Sequence, residues 1–196
     1  SKYVSSDGKA PKLNKLNDGH FKKAKQKVKN QVEDIADDLI KLYSERSQLK
    51  GFAFSADDDD QHAFDDAFPY VETDDQLRSI EEIKRDMQNS HPMDRLLVGD
   101  VGFGKTEVAM RAAFKAVNDH KQVVVLVPTT VLAQQHYTNF KERFQNFAVN
   151  IDVLSRFKSK KEQAETLEKL KNGQVDILIG THRVLSKDVV FSDLGL

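Results

Sequence analysis

Gly99-Asp100-Val101-Gly102-Phe103-Gly104-Lys105-Thr106 satisfies G-x-x-x-x-G-K-[ST] without a gap. Glycines at this spacing let a backbone curl until several N–H groups point at one anion, a conformation that side chains would obstruct. The chemistry implied is capture of a polyphosphate. Lys105 reaches the β- and γ-phosphates, the Thr106 hydroxyl holds Mg²⁺, and the amino end of the next helix adds its partial positive charge. The competing reading is a glycine-rich strand-to-helix turn that binds nothing.

Three further clusters carry polar chemistry: Pro128-Thr129-Thr130, Ser155-Arg156-Phe157 and Gly180-Thr181-His182-Arg183. Each follows an apolar run, and all are expected on one sheet edge with the phosphate loop. Hydroxyls, helix-start N–H groups and arginine hold a sugar-phosphate backbone without reading sequence. Taken singly, Thr130 and Thr181 read as ordinary helix caps. Phe157 either stacks a base or packs under its loop. Gln76 also has two readings. As the fourth residue of Thr73-Asp74-Asp75-Gln76 it completes a capping box, which its residue type favours; alternatively its amide, donor and acceptor at once, suits the edge of adenine. His136 and His182 lack a second metal ligand at usable spacing, and no serine–histidine–acid set suggests a nucleophile.

The elements that must position these groups follow from periodicity. Leu96-Leu97-Val98 is expected to enter the phosphate loop as a short buried strand, and Glu107-Val108-Ala109-Met110 to leave it as a helix reaching about Asn118. Gln122-Val123-Val124-Val125-Leu126-Val127 reads as a parallel strand buried on both faces. A helix over about 131–145 follows, then a strand near 150–154. Ser159-Lys160-Lys161-Glu162 is a capping box that opens a helix to about Lys171, and Val175-Asp176-Ile177-Leu178-Ile179 is the next strand. Strand alternating with helix predicts an α/β doubly wound parallel sheet that binds ligands at the carboxyl ends of its strands.

Ahead of this lobe, residues 1–16 read as a β-hairpin, the remnant of a larger sheet. Residues 17–50 read as one long connector helix with Phe21, Ala24, Val28, Val32, Ile35, Leu39 and Leu42 on a single stripe. The lysines of its first turns read as a solvated face. Residues 51–67, with Asp57-Asp58-Asp59-Asp60, are expected to be a mobile acidic linker, and Phe64 to Tyr70 supplies an aromatic cluster before the next helix. With no cysteine, there is no disulfide and no thiolate chemistry, which fits a cytoplasmic setting. The net charge of −1 excludes a globally basic coat, so nucleic-acid contacts must be local; no apolar run is long enough to cross a membrane.

Phe68-Pro69-Tyr70 with Thr73-Asp74-Asp75-Gln76, the run Met93 to Ala109, Val127-Pro128-Thr129-Thr130 through His136, Ser155-Arg156-Phe157 and Gly180-Thr181-His182 together resemble the first motor lobe of the bacterial transcription-repair coupling factors, the Mfd family. These are superfamily 2 double-stranded DNA translocases related to RecG. The resemblance covers nearly the whole chain. It implies a RecA-like lobe that uses ATP and Mg²⁺, with Gln76 reading adenine and Phe68 stacking on it. It also implies that Thr129, Thr130, Arg156 and Thr181 lie along the DNA backbone, with Phe157 and His182 beside them. The partners implied are double-stranded DNA, RNA polymerase through the amino-terminal module, and excision-repair proteins, with no membrane; residues 17–50 resemble the family's relay helix.

After Asp193-Leu194-Gly195-Leu196 that family continues into a D-E-x-H strand and a second lobe supplying an arginine finger. This polypeptide is therefore expected to have no significant ATPase activity by itself. The alternatives are a polymerase-docking module whose phosphate loop is only scaffold, a RecG-like helicase lobe, and, least supported, a small-molecule phosphotransferase.

Overall fold

A computed structural model describes residues 19–196; the expected amino-terminal hairpin lies outside the described residues. The chain divides after Leu49. Helix α1, Gly19–Gln48, carries i,i+4 pairs such as Lys29 with Glu33 at 3.5 Å. Val28, Val32, Ile35, Leu39 and Leu42 form the expected stripe and are all exposed.

The unit Lys50–Leu196 contains α2 (Asp59–Asp66), α3 (Asp74–Met87), α4 (Lys105–Asn118), β1 (Val123–Leu126), α5 (Thr130–Arg143), β2 (Ile151–Leu154), α6 (Lys160–Lys171) and β3 (Ile177–Gly180), closed by a 3-10 turn His182–Leu185. The three strands are parallel in the order β1-β3-β2. Central β3 shows why the sheet is covered on both faces. Ile177 and Ile179 pack into one core with α2, α3, α4 and α5, while Leu178 points into a second with Leu154, Leu170, Val175 and Val184. β1 is less enclosed than expected: Val123 is buried, but Leu126 at its carboxyl end is exposed.

Two expectations are overturned. The acidic run is ordered, not a mobile linker. Asp58 caps α2 by accepting from the Gln61 N–H, and Asp57 accepts from Lys84 Nζ at 2.6 Å and Lys115 Nζ at 2.8 Å. Phe64, fully buried, stacks on Phe114 with centroids 4.2 Å apart. Neutralising partners turn a charge run into a folded element.

The Leu96-Leu97-Val98 run is not a strand either. Leu96 and Val98 are 86% and 80% exposed, and only Leu97 is half-buried against the core. The run makes no backbone hydrogen bond to β1, and a strand needs such pairing. The side of β1 away from β3 is taken at Gln122 and Val124 by residues 193–196, through Gln122 N–H to Asp193 O at 2.7 Å and Val124 N–H to Leu196 O at 2.9 Å.

Candidate nucleotide site and nucleic-acid rim

The phosphate loop meets α4 through two glycines with left-handed backbone, Gly102 at φ 85° and Gly104 at φ 70°. The left-handed backbone disfavours any side chain at Gly104, and a Cβ there would stand 2.3 Å from the Gln76 amide nitrogen and push that amide aside. Asp100, Val101 and Phe103 are exposed, and the loop opens to solvent. Lys105 Nζ lies on carbonyls of its own loop, 2.6 Å from Gly99 O and 2.5 Å from Asp100 O. An ammonium, the first N–H groups of a helix and a threonine hydroxyl in sequence form a donor set for a phosphate chain and its Mg²⁺. Among the described residues no group of three or more acidic, cysteine or histidine side chains could hold a metal. A magnesium ion held at Thr106 would keep several waters and take further ligands from the phosphates.

Gln76 satisfies the capping box in full: its Oε1 accepts from the Thr73 N–H at 2.9 Å and its N–H donates to Thr73 Oγ1 at 3.3 Å. The same amide also donates to the Phe103 carbonyl at 3.0 Å, which latches α3 to the phosphate loop. Gln76 and Phe68 line different cavities. Gln76 borders a small one of about 210 Å³ with Thr73, Gly99, Phe103 and Lys105. Phe68 borders one of about 590 Å³ with Tyr70, Thr106, Glu107, Asn146 and Arg143.

Around Phe68 lies a charge cluster that sequence reasoning missed. Glu107 accepts from Arg111 Nε at 3.0 Å and from Arg143 Nη2 at 2.8 Å. Arg111 also bonds Glu72, and the two guanidiniums lie 5.2 and 5.9 Å from the Phe68 centroid. Burial disfavours the Arg111 charge, but its hydrogen bonds with Glu72 and Glu107 outweigh that and hold its pKa above the ordinary value. The Glu107–Arg111 spacing of four on a helix was the available signal. Arg143, 36 residues further along, carried none.

The three strand-end clusters do converge. Pro128, Thr129, Thr130, Ser155, Arg156, Thr181, His182 and Arg183 line one cavity of about 470 Å³, joined by Gln163, which the sequence had not singled out. None of the phosphate-loop residues lines it, so loop and rim border different cavities. Thr129, not Thr130, caps α5, accepting from the Leu132 N–H at 3.2 Å; Thr181 starts the 3-10 turn without a side-chain cap. Phe157 is 62% exposed and so does not pack under its loop. That loop is held from below: Lys158 Nζ reaches Asp152 at 2.5 Å and Thr166 Oγ1 at 2.8 Å. Burial raises the Asp152 pKa, but the bonds from Lys158 and Thr166 outweigh it and bring it below the usual carboxylate value. Arg183 pairs with Asp188, whereas Arg156 is exposed and forms no ion pair with the described residues. The His136 Nδ1 is buried without a partner.

The chain is 65% identical over 195 residues to the transcription-repair-coupling factor of Bacillus subtilis (strain 168), and 58% identical over the same length to that of Staphylococcus haemolyticus (strain JCSC1435). Each match takes in all of this chain but 17% of the relative, so the chain spans about a sixth of the length of these curated proteins. Among solved structures, RecG bound to a three-way DNA junction matches with a TM-score of 0.74 and 36% identity, over 79% of this chain and 21% of that one. The sequence profile of the DEAD/DEAH box helicases matches residues 73–196, from the Thr73 cap through the loop and the rim. Fold, loop and sequence agree: the chain belongs to the DEAD/DEAH box helicase family.

Proposed function

We propose that this polypeptide is the nucleotide-binding motor lobe of an ATP-driven double-stranded DNA translocase acting in transcription-coupled repair. The observation that carries the reading is the loop at the head of α4, where Gly104 in left-handed backbone places Lys105 and Thr106 at the helix start. Lys105 leaves the Gly99 and Asp100 carbonyls to meet the β- and γ-phosphates, and Thr106 holds Mg²⁺, which withdraws charge from the phosphates when bound. Gly99, Asp100, Val101, Gly102 and Phe103 supply the surrounding backbone. Gln76 keeps one amide hydrogen and one lone pair beyond its cap and latch, enough for the donor–acceptor edge of adenine, and Phe68 offers a ring face to the base.

The rim takes the DNA backbone through Thr129, Thr130, Arg156, Thr181 and His182, with Phe157 projecting beside them. In the intact parent, closure of this lobe against a second would advance the protein along duplex DNA against a stalled RNA polymerase, in the cytoplasm, and bring in excision-repair proteins. The exposed stripe of α1 supports a second reading, a polymerase-docking module in which the loop is scaffold. Titration with a fluorescent ATP analogue and Mg²⁺ separates them. The motor reading expects saturable binding that falls at least about tenfold in Lys105→Ala at unchanged thermal midpoint. Equal binding by the variant, or none by the unmodified chain, defeats it.

A further inference from the structure

Glu107 is the third residue of α4, directly after the lysine and threonine assigned to the phosphates. A carboxylate there suits the helix dipole but opposes an incoming triphosphate, and burial of Glu107 to 9% exposure keeps water from screening it. The structure answers that charge with two guanidiniums. Arg143 approaches it through Nε at 3.0 Å and Nη2 at 2.8 Å, and Arg111 through Nε at 3.0 Å.

These pairs belong to a longer chain of contacts. Asp57, Asp65, Glu72 and Glu107 alternate with Lys84, Lys115, Arg111 and Arg143, four carboxylates against four cations. Arg143 stands at the end of this series and lines a cavity with Thr106. It is the one member supplied by α5, and its Nη2 also donates to the Phe64 carbonyl at 2.7 Å, which helps fix its fork. Lys84 and Arg111 are each shared between carboxylates, and Lys115 is held by Asp57 and the Ser55 carbonyl, so none is free to replace it.

We propose that Arg143 is a positioning residue for the triphosphate: by cancelling and aiming Glu107, with which it and Thr106 line one cavity, it makes the start of α4 electrically receptive to phosphate. This rests on the nucleotide reading above. Without Arg143 the series carries one more negative than positive charge, and Glu107 keeps only Arg111, which it shares with Asp65 and Glu72. Removing Glu107 instead leaves an excess of positive charge there. The two single substitutions must therefore act with opposite sign on phosphate affinity, whereas a merely structural network would lose affinity in both.

The experiment titrates Mg·ATP and Mg·tripolyphosphate, by displacement of a fluorescent ATP analogue, against the unmodified chain, Arg143→Gln, Glu107→Gln and the double variant. Arg143→Gln is expected to weaken both ligands about tenfold, Glu107→Gln to tighten both about two- to threefold, and the double variant to return near the unmodified value. Weakening in both single variants, or no change in Arg143→Gln, overturns the proposal. So does loss of ATP affinity with tripolyphosphate unaffected, because that places Arg143 in the base pocket through Phe68. If thermal melting shows Arg143→Gln unfolded, Glu107→Gln decides alone: tighter binding supports the proposal and equal or weaker binding refutes it. An unmodified chain that binds neither ligand sinks the nucleotide reading itself, and this inference with it. An unmodified chain that binds while the variants fail the sign test sinks only this one.

Discussion

At Asp57 two ammonium groups converge on one carboxylate, and both lysine side chains are nearly enclosed, at 12% and 4% exposure. Burial pushes the Asp57 carboxyl up, but the bonds from Lys115 and Lys84 outweigh burial and set its pKa below the usual value. A folded-state pKa below the unfolded one means the stabilisation is complete above the ordinary carboxylate range, near pH 4, and is lost as pH falls through the lower folded value. Asp152 shifts in the same direction and for the same kind of reason. Asp57→Asn should lower unfolding free energy at neutral pH by about 2–4 kcal/mol, read from the denaturant midpoint. The difference from the unmodified chain should shrink below about pH 4. A variant equally stable at pH 7 would mean that Lys84 and Lys115 find other partners. Four aspartates in a row look alike in sequence. What separates Asp57 from its neighbours is a pair of lysines 27 and 58 residues away, which no local pattern reveals.

Elements were legible where their rules are local. Thr73 with Gln76 and Ser159 with Glu162 both form complete capping boxes, read from four residues each. Helices α4 and α6 end where Asn118 and Asn172-Gly173 indicated. Legibility failed where a partner decides. Leu96-Leu97-Val98 has strand composition, yet a strand needs an edge to pair with, and this run makes no backbone bond to β1. The rim loop gives a test at this scale. Asp152 and Thr166 hold Lys158 while Phe157 projects outward, so packing and contact surface are separable within four residues. Phe157→Ala should leave stability within about 0.5 kcal/mol of the unmodified chain and weaken DNA binding several-fold in fluorescence anisotropy. A large loss of stability would mean that the ring packs against the fold after all.

For the whole molecule, the phosphate loop and the rim border different cavities of one compact unit, so the proposed nucleotide and DNA sites share no lining side chain. The three rim clusters were readable because each follows a strand and parallel strands end on one side. That loop and rim border different cavities was not readable, because spacing across a sheet depends on strand order. This polypeptide should bind Mg·ATP, raising its thermal midpoint with the logarithm of ligand concentration above the dissociation constant. An unchanged midpoint at saturating Mg·ATP would mean that the loop holds no nucleotide.

The strand order β1-β3-β2 also sets a sequence of events in time. Ile177 of β3 pairs with Ile151 of β2 on one side and with Val123 of β1 on the other, and the second partner is about twice as far away along the chain. Each doubling of a closed loop costs about 0.6 kcal/mol more, and non-local pairing slows folding. β2, α6 and β3 therefore form the cheaper crossover, and β1 adds to an edge already made. The rim inherits that order: Ser155, Arg156 and Thr181 assemble with the early unit, and Thr129 and Thr130 arrive with the late strand. A surface that reads as one cavity in the finished molecule is thus born in two halves.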